Sequence, residues 1–118
     1  MKYEKDYEEQ NQRMGYLMEN SKLTSAVMGS VGANMKDGAL SLKEKECVML
    51  GIAIAIRCHD CIRAHAKNCK DVGLTEEEII EVVESAVAMG GGPSFAFGSY
   101  ALDAVSYTHL TLPTNREV

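Results

Sequence analysis

The 118-residue chain sets 12 Lys and Arg against 17 Asp and Glu, a formal charge of -5, and 46% of its residues are hydrophobic, with only 2 Pro and no Trp. That length fits one domain with a modest core, the composition leans towards helices, and the acidic balance excludes a basic nucleic-acid surface. No stretch reaches the roughly 18 apolar residues a membrane span needs. Residues 1–20 are charged throughout, unlike a secretory leader, so a cytoplasmic protein with neither nucleic acid nor membrane as partner is expected.

Between Tyr3 and Asn20, Tyr3, Tyr7, Met14, Tyr16, Leu17 and Met18 are scattered among polar residues, which predicts a weakly amphipathic helix with an acidic outer face. Leu23, Ala26, Val27, Ser30, Val31 and Met35 recur at helical spacings, so a second helix is expected from Thr24 to about Met35, before Lys36-Asp37-Gly38. Its small residues Gly29, Ser30, Gly32 and Ala33 would let another helix approach closely. Ser41-Leu42-Lys43-Glu44 reads as a capping box that starts a third helix at Leu42. From Cys47 to Ile56 the next ten residues are uncharged and mostly apolar, so this helix is expected to be the central and most buried one. Glu46 stands one residue ahead of that run.

A single straight helix would put Glu46 about 18 Å from Cys58 and about 28 Å from His65, at 1.5 Å per residue. A turn near Arg57 to Asp60 would instead fold a fourth helix back antiparallel and bring His65 alongside Glu46. That hairpin is expected. The fourth helix runs from near Cys58 through Cys69 to Val72 and stops at Gly73. Leu74-Thr75-Glu76-Glu77-Glu78-Ile79 then combines a capping box (Thr75, Glu78) with a hydrophobic staple (Leu74, Ile79). Ile79, Ile80, Val82, Val83, Ala86, Val87 and Met89 form the apolar stripe of the helix that follows. Gly90-Gly91-Gly92-Pro93 follows a helix and lacks the Lys-Ser/Thr of a phosphate loop, so it reads as a flexible turn. Phe95, Phe97, Tyr100, Ala101 and Leu102 mark a last helix from Ser94 to Ala104. Residues 105–118 abandon the pattern and resemble translated adapter sequence from DNA library preparation. The domain is therefore expected to be 1–104, the remainder a non-native tail, and His109 is given no role.

The chemistry-bearing stretch is Cys58-His59-Asp60-Cys61-Ile62-Arg63-Ala64-His65. With a helix beginning near Cys58, Cys58 and Cys61 (i, i+3) and Cys61 and His65 (i, i+4) share a face. The partial positive charge of a helix N-terminus favours the thiolate, which is the reactive species, and His65 is placed to act as a base for Cys61. Ile62 directly after the second Cys excludes c-type haem attachment. A zinc site would have to recruit further ligands from Cys47, Cys69, His59, His65 and His109, and a thioredoxin fold would place the motif after a strand. An inert buried pair is the remaining alternative, against which the polar neighbours Arg57, His59, Asp60 and Arg63 argue. In a reducing compartment a CxxC pair is more often catalytic than a structural staple.

Glu46, eleven intervening residues, Cys58-x-x-Cys61, then His65, followed by Gly73-Leu74-Thr75 and Gly90-Gly91-Gly92-Pro93, resembles the carboxymuconolactone decarboxylase superfamily, in particular its alkylhydroperoxidase D-like (AhpD-like) branch. The resemblance covers roughly 33–104. It implies an all-α helical bundle with a central antiparallel hairpin carrying CxxC at the start of its second helix, assembled as a homo-trimer or homo-hexamer. It also implies a thiol-dependent peroxidase without cofactor or metal. Cys61 would attack a hydroperoxide, and Cys58 would close the disulfide and exchange with a thiol reductant, either a dithiol or a redoxin-like protein. Glu46 and His65 would relay the proton. Some members have a His where this chain has Asp60, and His59 stands one residue earlier, so His59 is left out of the relay. A lactone decarboxylase without a redox step, which does not need CxxC, and a non-catalytic redox-sensing oligomer are the alternative readings.

Overall fold

The computed structural model describes residues 2–105 of the chain, with side chains from Lys5 onwards. Those residues form seven α-helices and one short 3-10 turn, with no strand among them. They divide into two compact units at Leu42/Lys43.

In the first unit, α1 (Lys2–Asn20) and α2 (Lys22–Asn34) pack against each other and are separated by Ser21 alone. Ser21 is the N-cap of α2. Its extended backbone breaks the helix, and its hydroxyl oxygen accepts from the Thr24 amide at 3.1 Å. The second helix therefore starts two residues earlier than the apolar spacing alone suggests. Its small residues are not used for close packing: a Cβ at Gly29 or Gly32 would meet nothing within 4 Å. After α2, the Asp37 carboxylate accepts from the Leu42 amide at 2.7 Å and so satisfies a free donor of the next helix.

The second unit contains α3 (Leu42–Ala55), α4 (His59–Asp71), α5 (Glu76–Gly90) and α6 (Gly92–Gly98), then a 3-10 turn (Ser99–Ala101) and α7 (Leu102–Val105). Its core is Leu50, Ala53 and Ile54 of α3, Ile62, Ala66 and Cys69 of α4, Leu74, Ile79, Ala101 and Ala104. Each large member, such as fully buried Ile62, contributes about 1.5–3 kcal/mol by leaving water. As expected, α3 contributes more buried residues than any other helix among the described residues, Glu46, Leu50, Ala53 and Ile54, but its burial is one-sided. One face is buried, while Val48 and Ile52 are each 51% exposed and Ile56 65%.

The turn expected after Ile56 is present, and two helix stops of the same design frame α4. At the end of α3, the Cys58 amide bonds the Ala53 carbonyl and the Arg57 amide bonds the Ile54 carbonyl. At the end of α4, the Leu74 amide bonds the Cys69 carbonyl and the Gly73 amide bonds the Lys70 carbonyl. Both are Schellman stops, which need a left-handed residue at the centre. Gly73 takes that place after α4 with φ 99°, and Arg57 takes it after α3 with φ 60°. The left-handed region costs a residue with a Cβ about 1–2 kcal/mol, so arginine is an expensive occupant.

Thr75 and Glu78 form the expected reciprocal cap of α5: the Glu78 amide donates to Thr75 Oγ1 at 3.1 Å, and the Thr75 amide to Glu78 Oε1 at 2.8 Å. The Thr75 amide, and next to it Lys43, hold the Glu78 carboxyl below its ordinary range. The glycine run is not a loop. Gly90 ends α5, Gly92 begins α6, and Gly91 alone turns the chain with φ 69°. Pro93 suits the first turn of α6 because its fixed φ is helical and its missing amide hydrogen is not needed there. The last helix is consequently longer at its start than expected, and it tightens to 3-10 at Ser99, whose hydroxyl bonds the Ala96 carbonyl at 2.7 Å. Of the tail expected at 105–118, Val105 is the last residue of α7, and the rest, His109 included, lies outside the described residues.

Candidate functional site

The α3–α4 hairpin gathers the four residues singled out by the sequence. Cys58 is the N-cap of α4, in an extended conformation, and its Sγ accepts from the Cys61 amide at 3.3 Å. A sulfur usurps the place that a Ser or Asp oxygen usually takes at a helix start. Cys58 and Cys61 are joined in a disulfide, with 5.2 Å between their Cα atoms. Both are partly exposed, so the bond is reachable from solvent.

One turn further along α4, His65 Nδ1 lies 2.7 Å from Glu46 Oε1. The Glu46 side chain is 5% exposed and the His65 side chain 19%. A carboxylate so placed accepts from Nδ1–H, fixing the ring orientation and leaving Nε2 as the ring nitrogen that Glu46 does not engage. A second contact locks the same register: the buried Cys69 thiol donates to the Glu46 carbonyl at 3.5 Å. Residue 46 is thus held by side chain and backbone from two successive turns of α4.

The remaining polar groups near the disulfide anchor the first turns of α4. His59 meets the Tyr100 ring edge to face at 4.1 Å between centroids, and its Nδ1 lies 3.4 Å from Asp60 Oδ1. These two contacts place His59 against Tyr100 and Asp60. Arg63 Nε donates to Asp103 Oδ2 at 3.3 Å, across 40 residues. The Asp103 and Tyr100 partnerships were missed by sequence reasoning because nothing local marks them. Asp60 lies in the first turn of α4, and the cap is Cys58.

The other two thiols differ from the pair. Burial, and after it the Cys47 and Glu46 charges, push the Cys69 thiol up to about 12. Burial and then the Glu78 carboxylate raise Cys47, which is partly exposed. Both stay protonated at neutral pH and are poor nucleophiles. Among the described residues no cluster of three or more His, Cys, Asp or Glu side chains is arranged to hold a metal ion, and no helix is long and apolar enough to cross a membrane.

Comparison with known proteins gives the family. Residues 21–104 match the model of the carboxymuconolactone decarboxylase family. An uncharacterized protein of Cupriavidus necator is 33% identical over 78 residues, 66% of this chain and 69% of that protein. The alkyl hydroperoxide reductase AhpD of Corynebacterium kroppenstedtii is 37% identical over 46 residues, 39% of this chain but only 26% of that protein. The crystal structure of an apo carboxymuconolactone decarboxylase family protein from Legionella pneumophila superposes with a TM-score of 0.78 at 32% identity, covering 87% of this chain and 93% of that one. The all-helical fold, the CxxC hairpin and the family match together make this chain a member of the carboxymuconolactone decarboxylase family.

Proposed function

We propose that the chain is a thiol-dependent peroxidase of the AhpD-like type, cycling Cys58 and Cys61 between dithiol and disulfide with Glu46 and His65 as the proton relay. The observation that carries this reading is the 2.7 Å contact between buried Glu46 and His65 on the helix that bears the disulfide. The partial similarity to an alkyl hydroperoxide reductase supports it. In the reduced form His65, oriented by Glu46, takes the Cys61 thiol proton. The Cys61 sulfur then bonds to the outer oxygen of the hydroperoxide as the O–O bond breaks, and the leaving alkoxide takes the proton from His65 to become the alcohol. Cys61 is now a sulfenic acid. Cys58 attacks its sulfur, water leaves, and the disulfide closes. A dithiol or redoxin-like reductant supplies two electrons and two protons to reopen it through a mixed disulfide on Cys58. The working form in this reading is a homo-trimer or homo-hexamer.

The test is steady-state reduction of an organic hydroperoxide with dithiothreitol or a dihydrolipoyl donor, comparing wild type with Cys58→Ser, Cys61→Ser and Glu46→Gln. Turnover should require both sulfurs and fall sharply in Glu46→Gln. Four indistinguishable rates would remove the assignment.

A further inference from the structure

A second feature lies outside the residues of the disulfide hairpin's relay. α3, α5 and the start of α6 form an apolar cleft of about 610 Å³, walled by Val48, Ile52, Val82 and Met89, with Arg57 as the charged residue of its lining. That volume lies in the range of small-molecule sites, which are mostly apolar with a few polar groups that fix orientation.

Three observations single out Arg57. It holds the left-handed position of a helix stop, where the equivalent stop after α4 has Gly73. The backbone therefore does not call for arginine, and strained residues of this kind gather where the side chain has a task. Although the chain carries 17 acidic residues, the guanidinium has no hydrogen-bond or ion-pair partner among the described residues. Finally, Arg57 directly precedes Cys58. A guanidinium presents paired donors matched to a carboxylate, and apolar walls match an alkyl chain.

We propose that this cleft binds an aliphatic carboxylate, with its acid group on Arg57 and its chain along Val48, Ile52, Val82 and Met89. Arginine alone would accept any anion and the walls alone any alkyl group; together they select a molecule with both ends. The proposal goes beyond the peroxidase reading, and binding is read with the disulfide closed, so it is independent of peroxide turnover.

The test titrates decanoate, and 1-decanol as its uncharged counterpart, into the oxidised full chain by calorimetry. Decanoate should bind at least about tenfold tighter than decanol, the gain of one charge-assisted pair. Arg57→Gly and Arg57→Gln should both abolish that preference while leaving decanol binding in place, and Ile52→Ser should weaken both ligands. Decanoate should also slow alkylation of Cys47, which lines the same cleft. Equal affinity for acid and alcohol, a preference that survives both Arg57 variants, or an unprotected Cys47 would overturn the proposal. So would a lack of decanoate binding, the outcome expected if a second copy of the chain covers the cleft.

Discussion

Glu46 Oε1 and His65 Nδ1 meet at 2.7 Å although 19 positions separate them in the chain. The contact exists because α3 stops one residue after Ile54, its last core residue, and α4 returns along it, with Cys58 capping the return. The hairpin turns a sequence motif into a spatial one. An acid, an imidazole and a disulfide end on one helix pair, with the acid almost fully withdrawn from water.

Replacing Glu46 separates its two roles. Glu46→Gln keeps an oxygen that accepts from His65 and should cost about 1 kcal/mol or less of stability, while lowering peroxide reduction by about 100-fold through the loss of charge behind the imidazole. Glu46→Ala leaves His65 without its partner and should cost about 3 kcal/mol. Denaturation midpoints and steady-state rates read the two effects separately. A Gln variant with full activity would remove Glu46 from the relay.

The two cysteines should fail differently. Cys61→Ser should consume no peroxide, even in a single turnover. Cys58→Ser should reduce one equivalent and stop with a sulfenic acid on Cys61, which dimedone traps and mass spectrometry locates. The reverse pattern, with the trapped acid on Cys58, would exchange their roles, and the Cys61 amide already donated to the Cys58 sulfur is the feature that would favour such an exchange.

The passage from α4 into α5 was legible in the sequence because its signals are local: Thr75 and Glu78 lie three residues apart, and Gly73 marks a stop. The α3–α4 turn was expected from reach alone, because Glu46 and His65 can meet only if the chain doubles back. The parts that were not legible depend on distant or unusual partners. Arg63 and Asp103 are 40 residues apart, and no periodicity links them. Arg57 at a left-handed stop defies the glycine rule by which such stops are recognised. The exposed side of α3 was hidden by composition, because a run that is apolar on every face carries no mark of which face stays uncovered.

Arg57 should be retained at the expense of stability. Arg57→Gly relieves the left-handed strain, partly offset by the greater freedom of glycine in the unfolded chain, and should raise stability by about 0.5–1 kcal/mol. Arg57→Ala keeps the strain and should leave stability within about 0.5 kcal/mol of wild type. Urea midpoints decide the matter. If glycine destabilises the protein more than alanine does, the strain argument fails and the side chain is a structural support.

Cys69 gives the protein a specific weakness in alkali. Its folded value is raised to about 12 by burial, whereas an unfolded thiol ionises near about 8.5. The folded form therefore binds this proton more tightly than the unfolded chain does. Its stabilising contribution is complete below the unfolded value and drains away as pH rises towards the folded one. Near pH 10 the loss should be about 2 kcal/mol relative to pH 7, at about 1.4 kcal/mol for each unit beyond the unfolded value. Cys69→Ala loses the bond to the Glu46 carbonyl and some packing, so it should be less stable at pH 7, yet it should lack this alkaline decline. Paired urea titrations at pH 7 and pH 10 should show the two proteins converging as the pH rises. Parallel stability curves would mean that the thiol ionises without resistance from its surroundings, and the bond that fixes residue 46 against α4 would then be far weaker than its burial implies.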